Sequence, residues 1–182
     1  MPFVKFLNEG EGLGSVVARE PKKYNPFLAM GHHIMVGPSE FSFAERELIA
    51  VYVSALNACA FCVGTHVSIA KALGQDPALV EALVDDPDKA PVPDKLKPVM
   101  AYVRKLTLSP AKLVQADADA VLAAGWSDQA LSDAVAVAAY FAMANRLADG
   151  HGVEGLTAAL NESIGAQVAA HGYPEVDDLQ LR

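Results

Sequence analysis

The sequence predicts an all-α fold, a single-domain bundle of about seven to eight helices. The chain is rich in alanine and 52% hydrophobic, and few Thr or Ile residues occur outside short runs, which favours packed helices over a sheet. No strand or hairpin pattern is recognisable. At 182 residues the chain suits one domain or two small ones and can bury a sizeable core.

The first twenty residues show little periodicity, and three glycines among them favour an irregular or partner-contacting arm. Pro21 can open the first helix, and the apolar residues that follow fit one or two short helices ending near Gly37. We therefore expect an arm over 1–20, a helical domain over 21–160, and a helix end and polar tail over 161–182.

The middle of the chain predicts a helical hairpin. Ser42 and Glu45 form an S-x-x-E capping box ahead of a long apolar run, which predicts a helix over 43–57. A second helix should run from about Cys59 to Leu73, with Gly74 as its C-terminal cap.

The second half predicts further helices separated by Pro, Gly and Asp. Ser127 should cap a helix whose AVAVAAYFAMAN segment is almost wholly apolar and therefore buried. The remaining predictions are a short helix at 77–85, a Pro- and Asp-rich connection from Asp85 to Pro93, an amphipathic helix from Leu96 to Leu106, a helix capped by Ser109-Pro110 and ending at Gly125, and a weaker helix followed by polar coil after Val153.

Charge and cysteine content limit the class of protein. A net charge of −8 argues against nucleic acid and against an anionic membrane as partners, because both require clustered Lys and Arg. Two cysteines are too few for a disulfide scaffold, and MPFVKFLNEG lacks a secretory pattern. We expect a cytoplasmic protein. Residues 48–70 carry no formal charge and could span a bilayer, but their polar interruptions favour two consecutive buried helices.

The candidate site lies in this hairpin. Cys59 and Cys62 form a C-x-x-C motif, His66 follows four residues later, and Glu47 stands twelve residues before the first cysteine. Offsets of three and four place the two thiols and the imidazole along one helix face. Two thiols, an imidazole and a carboxylate in an apolar segment indicate thiol redox chemistry.

Each residue type suits the formation of a thiolate. A helix that begins at Cys59 would place both sulfurs in its first turn, where unpaired N–H groups and the helix dipole lower a thiol pKa. His66 can accept a proton or, once charged, stabilise a thiolate. Glu47 could pass protons to the pair.

The pattern E-x11-C-x-x-C-x-x-x-H resembles the alkylhydroperoxidase D branch of the carboxymuconolactone decarboxylase-like family. Gly125-Trp126-Ser127-Asp128, Asn145-Arg146-Leu147-Ala148-Asp149 and Gly152-Val153 look like its peroxidase-related subgroup. The resemblance covers roughly residues 20 to 155, and its core motif is fairly specific because four residue types must agree in spacing.

The resemblance implies a thiol-dependent peroxidase of antioxidant defence in which Glu47, His66 and Cys62 form a proton relay and Cys59 closes a disulfide. A peroxide would oxidise one thiol to a sulfenic acid, the second would resolve it, and an external dithiol or protein reductant would reduce the disulfide. The family pattern often carries a second histidine between the cysteines, and here Phe61 stands there. The relay is then shorter, so peroxidase turnover could be weak, or the substrate could be a disulfide partner.

The resemblance also implies homo-oligomers, commonly trimers or hexamers, and the apolar helices carry more hydrophobic surface than one small core needs. No phosphate loop, nucleophile elbow or dinucleotide fingerprint is present, so no cofactor is expected.

Plainer interpretations remain open for each site residue. Cys59 and Cys62 could be buried structural cysteines, or could ligate zinc together with His66 and Glu47. Glu47 could be a surface charge in the first turn of its helix, and His66 a satisfied core histidine. A decarboxylase would share the fold, and a non-catalytic metal-binding or interaction protein is the third class.

Other polar residues have simpler interpretations. Asn145 and Arg146 are expected to provide a helix cap and a salt bridge rather than to take a direct part in catalysis. The remaining residues considered are expected to pack, to lie at the surface or to form a subunit interface: His32, His33, Tyr140, Phe141, Met143 and His151.

Overall fold

The computed structural model describes residues 1–86 and 89–174 of the chain. The described residues form nine α-helices, a short 3₁₀ helix and no strand, which confirms the predicted all-α single domain. The helices are α1 (Leu13–Arg19), α2 (Pro21–Val36), α3 (Phe43–Leu56), α4 (Ala60–Ala72), α5 (Pro77–Asp85), α6 (Lys97–Leu108), α7 (Gln115–Ala123), α8 (Asp128–His151) and α9 (Ala158–His171), with the 3₁₀ helix at Pro110–Lys112.

The helix count exceeds the prediction of seven to eight because α1 forms within the first twenty residues, where an irregular arm was expected. Residues 13–19 pack their apolar side chains on the cluster that surrounds the two cysteines, so tertiary contacts stabilise a helix too short to form alone. Residues 87 and 88 of the predicted connection and residues 175–182 of the predicted tail lie outside the described part of the chain.

The α3–α4 hairpin forms as the sequence predicts. Ser42 Oγ accepts the Glu45 N–H at 3.2 Å, and Glu45 Oε2 accepts the Ser42 N–H at 2.8 Å, so the capping box is complete. Helix α3 is buried almost throughout, and it packs against α4, α5, α6 and α8.

Two helices complete the surroundings of the hairpin. Helix α8 crosses α3 and α4, and α9 lies along α4 at close range because Gly165 has no side chain where it meets Ser68. A Cβ at Gly165 would come 2.7 Å from the Ser68 carbonyl oxygen. None of the described helices combines the length with the apolar composition needed to cross a membrane.

Candidate active site

The turn between α3 and α4 places the two cysteines. Asn57 caps α3, Ala58 adopts a left-handed conformation with φ of 55°, and the Cys59 N–H donates to the Ser54 carbonyl oxygen at 3.0 Å. A non-glycine residue with positive φ is uncommon and such conformations concentrate at functional sites. The turn makes Cys59 the N-cap of α4 and places Cys62 in the first helical turn, as the sequence predicts.

Both cysteines are free thiols and are almost inaccessible to solvent, with exposed fractions of 0% for Cys59 and 2% for Cys62. Half of the surrounding apolar cluster comes from the N-terminal segment and α1, and the rest from α2, α8 and the residues after α8. Its buried members besides the cysteines are Leu7, Val16, Val17, Tyr24, Ala148 and Val153. The first nineteen residues therefore contribute half of the buried apolar side chains that enclose the thiol pair.

The two thiols have opposite pKa shifts. A hydrogen bond between the two thiols, with Cys59 as donor, lowers the pKa of Cys62 to about 7 even though burial opposes the thiolate. The Cys59 sulfur also lies 4.0 Å from the Asn145 carbonyl oxygen, to which its thiol can donate instead. The charge of His66 and a hydrogen bond from the Asn145 side chain lower the pKa of Cys62 further, whereas the charge of Asp149 raises it. The pKa of Cys59 is raised, because it is the donor in that bond and because burial disfavours a second charge.

Glu47 and His66 form a buried pair that joins α3 to α4. Their contact is 2.8 Å between His66 Nδ1 and Glu47 Oε2, and Glu47 is 0% exposed. Burial lowers the pKa of His66, but the charge and hydrogen bond of Glu47 and the charge of Cys62 outweigh it, so the pKa is raised overall. The plainer interpretation of Glu47 as a surface charge is wrong.

Asn145 contributes to the site in a way that the sequence analysis missed. Helix α8 continues past it to His151, and its side chain is 1% exposed and bridges the end of α3. It accepts from Asn57 Nδ2 at 2.8 Å and donates to Ser54 Oγ at 3.1 Å. The expected cap and salt bridge are therefore wrong for Asn145. An amide within an apolar helix was the available signal, since a buried amide must find partners.

The neighbouring residue, Arg146, is exposed and donates to the Ala142 carbonyl oxygen at 2.7 Å.

Tyr173 was not predicted at all. It follows α9, and its hydroxyl lies 2.7 Å from Glu47 Oε1 and 3.2 Å from His66 Nδ1. Its position in the predicted polar tail, 107 residues from His66, gave no signal in the sequence. Phe61 lies apart from this group: its ring faces Gly12 of the N-terminal segment, where an added Cβ would come 2.8 Å from Cε2.

The other residues considered in the sequence mostly pack. Tyr140 and Phe141 are buried and Met143 is 43% exposed, while His151 donates to a carbonyl oxygen of its own helix. His32 donates to the Tyr173 carbonyl oxygen at 2.7 Å. Within residues 1–86 and 89–174, no three His, Cys, Asp or Glu side chains converge as a group that could hold a metal ion.

The helical hairpin carries a C-x-x-C at the start of one helix and a buried Glu–His pair behind it. A model of the carboxymuconolactone decarboxylase family matches residues 21–86. A peroxidase-related protein of uncharacterised function from Silicibacter sp. shares 33% identity and superposes with a TM-score of 0.72, over 75% of this chain and 72% of that one. The chain belongs to the carboxymuconolactone decarboxylase family.

Two more distant structures share the fold. A peroxidase-related protein from Ralstonia eutropha, described as an alkylhydroperoxidase AhpD core, is 24% identical with a TM-score of 0.77 over 85% of this chain and 81% of that one. A protein of unknown function from Agrobacterium tumefaciens, named as an AhpD-type antioxidant-defence candidate, is 17% identical with a TM-score of 0.68 over 81% and 99%. No curated protein matches the sequence.

Proposed function

We propose that the protein is a thiol-dependent peroxidase of antioxidant defence, with Cys62 as the attacking thiol and Cys59 as the resolving thiol. Membership of the family supports a peroxidase-related role. The observation that carries the finer proposal is the asymmetric thiol pair: a hydrogen bond from Cys59 lowers the pKa of Cys62 to about 7. At neutral pH about half of Cys62 is then a nucleophilic thiolate.

The proposed reaction has three steps. The Cys62 thiolate attacks the distal oxygen of a peroxide, the O–O bond breaks, and the departing alkoxide or hydroxide takes a proton supplied through His66. The Cys62 sulfenic acid is then attacked by the Cys59 sulfur, which forms a disulfide and releases water. An external dithiol or reductase protein returns two electrons and two protons and is itself oxidised to a disulfide.

Glu47 and His66 act as the proton relay. Their direct contact favours a positive charge on the imidazole, since Glu47 raises the pKa of His66. The charged imidazole stabilises the thiolate before attack and can supply the proton that the leaving oxygen needs. Phe61 replaces the second histidine that the family often has, so His66 is the one imidazole in this proposed relay.

The test is to titrate the thiols before and after one equivalent of tert-butyl hydroperoxide, with intact mass and peptide mapping. We expect both thiols to be lost, a decrease of two hydrogens in mass, and a Cys59–Cys62 disulfide peptide. In Cys59→Ser we expect a sulfenic acid on Cys62 that dimedone traps. Thiols that survive the peroxide would overturn the proposal. Decarboxylase activity that persists when both cysteines are replaced by serine would favour the decarboxylase alternative.

The proposal includes a cytoplasmic location, where a reducing environment regenerates the dithiol, and a homo-oligomer, expected to be a trimer or hexamer. Exposed Met30 on α2 and Met143 on α8 support an interface, at 44% and 43% exposure. Sedimentation equilibrium tests the oligomer, and a monomer at micromolar concentration would contradict it.

A further inference from the structure

Both oxygens of the Glu47 carboxylate are occupied. Oε2 contacts His66 Nδ1 at 2.8 Å, and Oε1 accepts the Tyr173 hydroxyl at 2.7 Å. A fully buried carboxylate is costly unless its oxygens are hydrogen-bonded. Tyr173 therefore supplies the second of the two bonds that this buried group receives.

Tyr173 is held in place by three features of the chain. Gly172 has φ of 74°, a left-handed conformation that turns the chain away from the end of α9. The Tyr173 carbonyl oxygen accepts from His32 Nδ1 at 2.7 Å, and the ring packs edge-on against Phe43 with 5.9 Å between centroids. These contacts fix the hydroxyl at the carboxylate.

The hydroxyl also lies 3.2 Å from His66 Nδ1. Because the Tyr173 proton is donated to Glu47, the phenolic oxygen can accept a share of the His66 Nδ1–H. This arrangement favours the tautomer with Nδ1 protonated and leaves Nε2 to exchange protons. Burial and the charge of Glu47 raise the pKa of Tyr173 well above its ordinary value, so the hydroxyl remains a donor at working pH.

We propose that Tyr173 is a positioning residue of this site, which orients the Glu47 carboxylate and holds it in contact with His66. The inference rests on the proposed function, because it assigns Tyr173 to the relay of that reaction. It places part of the machinery in the segment after α9, well outside the residues 21–86 that the family model matches.

The direction of the effect follows from the charges. Without the hydroxyl, the Glu47 carboxylate loses one of the two contacts that hold it in place and is free to turn away from His66. The charge of Glu47 then raises the pKa of His66 less, and the Cys62 thiolate loses stabilisation from the imidazole. The pKa of Cys62 must therefore rise.

The experiment measures iodoacetamide alkylation of Cys62 against pH in Tyr173→Phe, which removes the hydroxyl and keeps the ring. We expect the midpoint to move upward by about one pH unit, because the nearby charge of His66 lowers the pKa of Cys62 and an opposite charge within reach is worth about one unit or more. Alkylation and peroxide consumption at pH 7 should fall about fivefold, because the thiolate fraction falls from about a half to about a tenth. The rates of variant and wild type should converge near pH 9, which general destabilisation would not produce.

Tyr102→Phe on α6 is the matched control, and its midpoint should equal that of the wild type. A folded Tyr173→Phe with a wild-type midpoint would overturn the inference and leave the proposed function intact. A wild-type protein whose Cys62 titrates near the ordinary value would overturn the proposed function first. Gly172→Val, which strains the left-handed turn and moves Tyr173, carries the same expected upward shift if Tyr173→Phe does not fold.

Discussion

The side-chain amide of Asn145 donates to Ser54 Oγ at 3.1 Å, which ties α8 to the last turn of α3 next to the thiol pair. The same side chain accepts from Asn57 and hydrogen-bonds to Cys62. One amide thus holds the turn that positions the cysteines and also stabilises the thiolate.

Replacing this amide should affect thiol ionisation and stability separately. Asn145→Asp keeps the shape and adds a negative charge, so the midpoint of Cys62 alkylation should rise by more than one pH unit. Asn145→Ala leaves buried partners unsatisfied and should lower the free energy of unfolding by about 1–3 kcal/mol in urea titrations. Arg146→Ala, at the exposed neighbouring position, is the control. If the pH midpoint of Cys62 alkylation in Asn145→Asp equals that of the wild type, Asn145 does not influence the ionisation of Cys62.

The hydrogen bond from Cys59 is the largest cause of the low pKa of Cys62, and this can be tested by two substitutions at one position. Cys59→Ser retains a hydroxyl donor and Cys59→Ala does not, so the alkylation midpoint of Cys62 should lie lower in the serine variant. In the wild type the rate should fall as the pH decreases through about 7, because the thiolate is protonated. Identical midpoints in the two variants would contradict the assigned cause.

The same shift has a consequence for stability. Because the native pKa of Cys62 lies below the value of about 8.5 for a free thiol, native Cys62 releases its proton more readily than the unfolded chain does. Its stabilising contribution is complete above about pH 8.5 and is lost as the pH falls through about 7.

Glu47→Gln tests the proposed relay by removing a charge while keeping the size of the side chain. Loss of the charge removes the main influence that raises the pKa of His66, so the imidazole should be neutral at pH 7. We expect a higher alkylation midpoint for Cys62 and peroxide consumption reduced by about tenfold or more. Glu162→Gln, on the exposed face of α9, is the control. Unchanged peroxide consumption in Glu47→Gln would exclude Glu47 from the mechanism.

Local signals in the sequence were enough for the hairpin and for the residues that it brings together. The capping box at Ser42 fixed the start of α3, and the spacing from Cys62 to His66 is a property of any helix. The contact between Glu47 and His66 follows once α3 and α4 pack side by side.

The parts of the site that were missed depend on packing between distant segments. Tyr173 contacts Glu47 although 126 residues separate them in the sequence, and Asn145 contacts Ser54 across a separation of 91 residues. Contacts between such distant positions leave no periodic pattern in the sequence. Helix α1 is another example, since Val16 and Val17 form a helix there because they pack on the cysteine cluster. Sequence patterns report local preference, whereas these positions are decided by tertiary contacts.

The close packing of α9 on α4 gives a test of the fold that supports Tyr173. Gly165→Ala would bring a Cβ to 2.7 Å from the Ser68 carbonyl oxygen, so the helices must separate, and we expect a loss of about 1–3 kcal/mol in the free energy of unfolding. Gly150→Ala in α8 meets nothing within 4 Å and should instead stabilise by about 0.5–1 kcal/mol. Equal melting temperatures for the two variants would contradict the close helix contact.

The packing of the N-terminal segment near the thiols can be tested by substituting two of its glycines, of which one is in a tight contact and the other is not. A Cβ at Gly12 would come 2.8 Å from the Phe61 ring, whereas one at Gly14 meets nothing within 4 Å. Gly12→Val should therefore displace the segment and speed labelling of Cys62 by a bulky disulfide reagent several-fold, since local opening then costs less free energy. Labelling by small iodoacetamide should change less, and Gly14→Val should match the wild type for both reagents. Equal acceleration in both variants would show that general destabilisation, not the packing of this segment near Cys59 and Cys62, controls access.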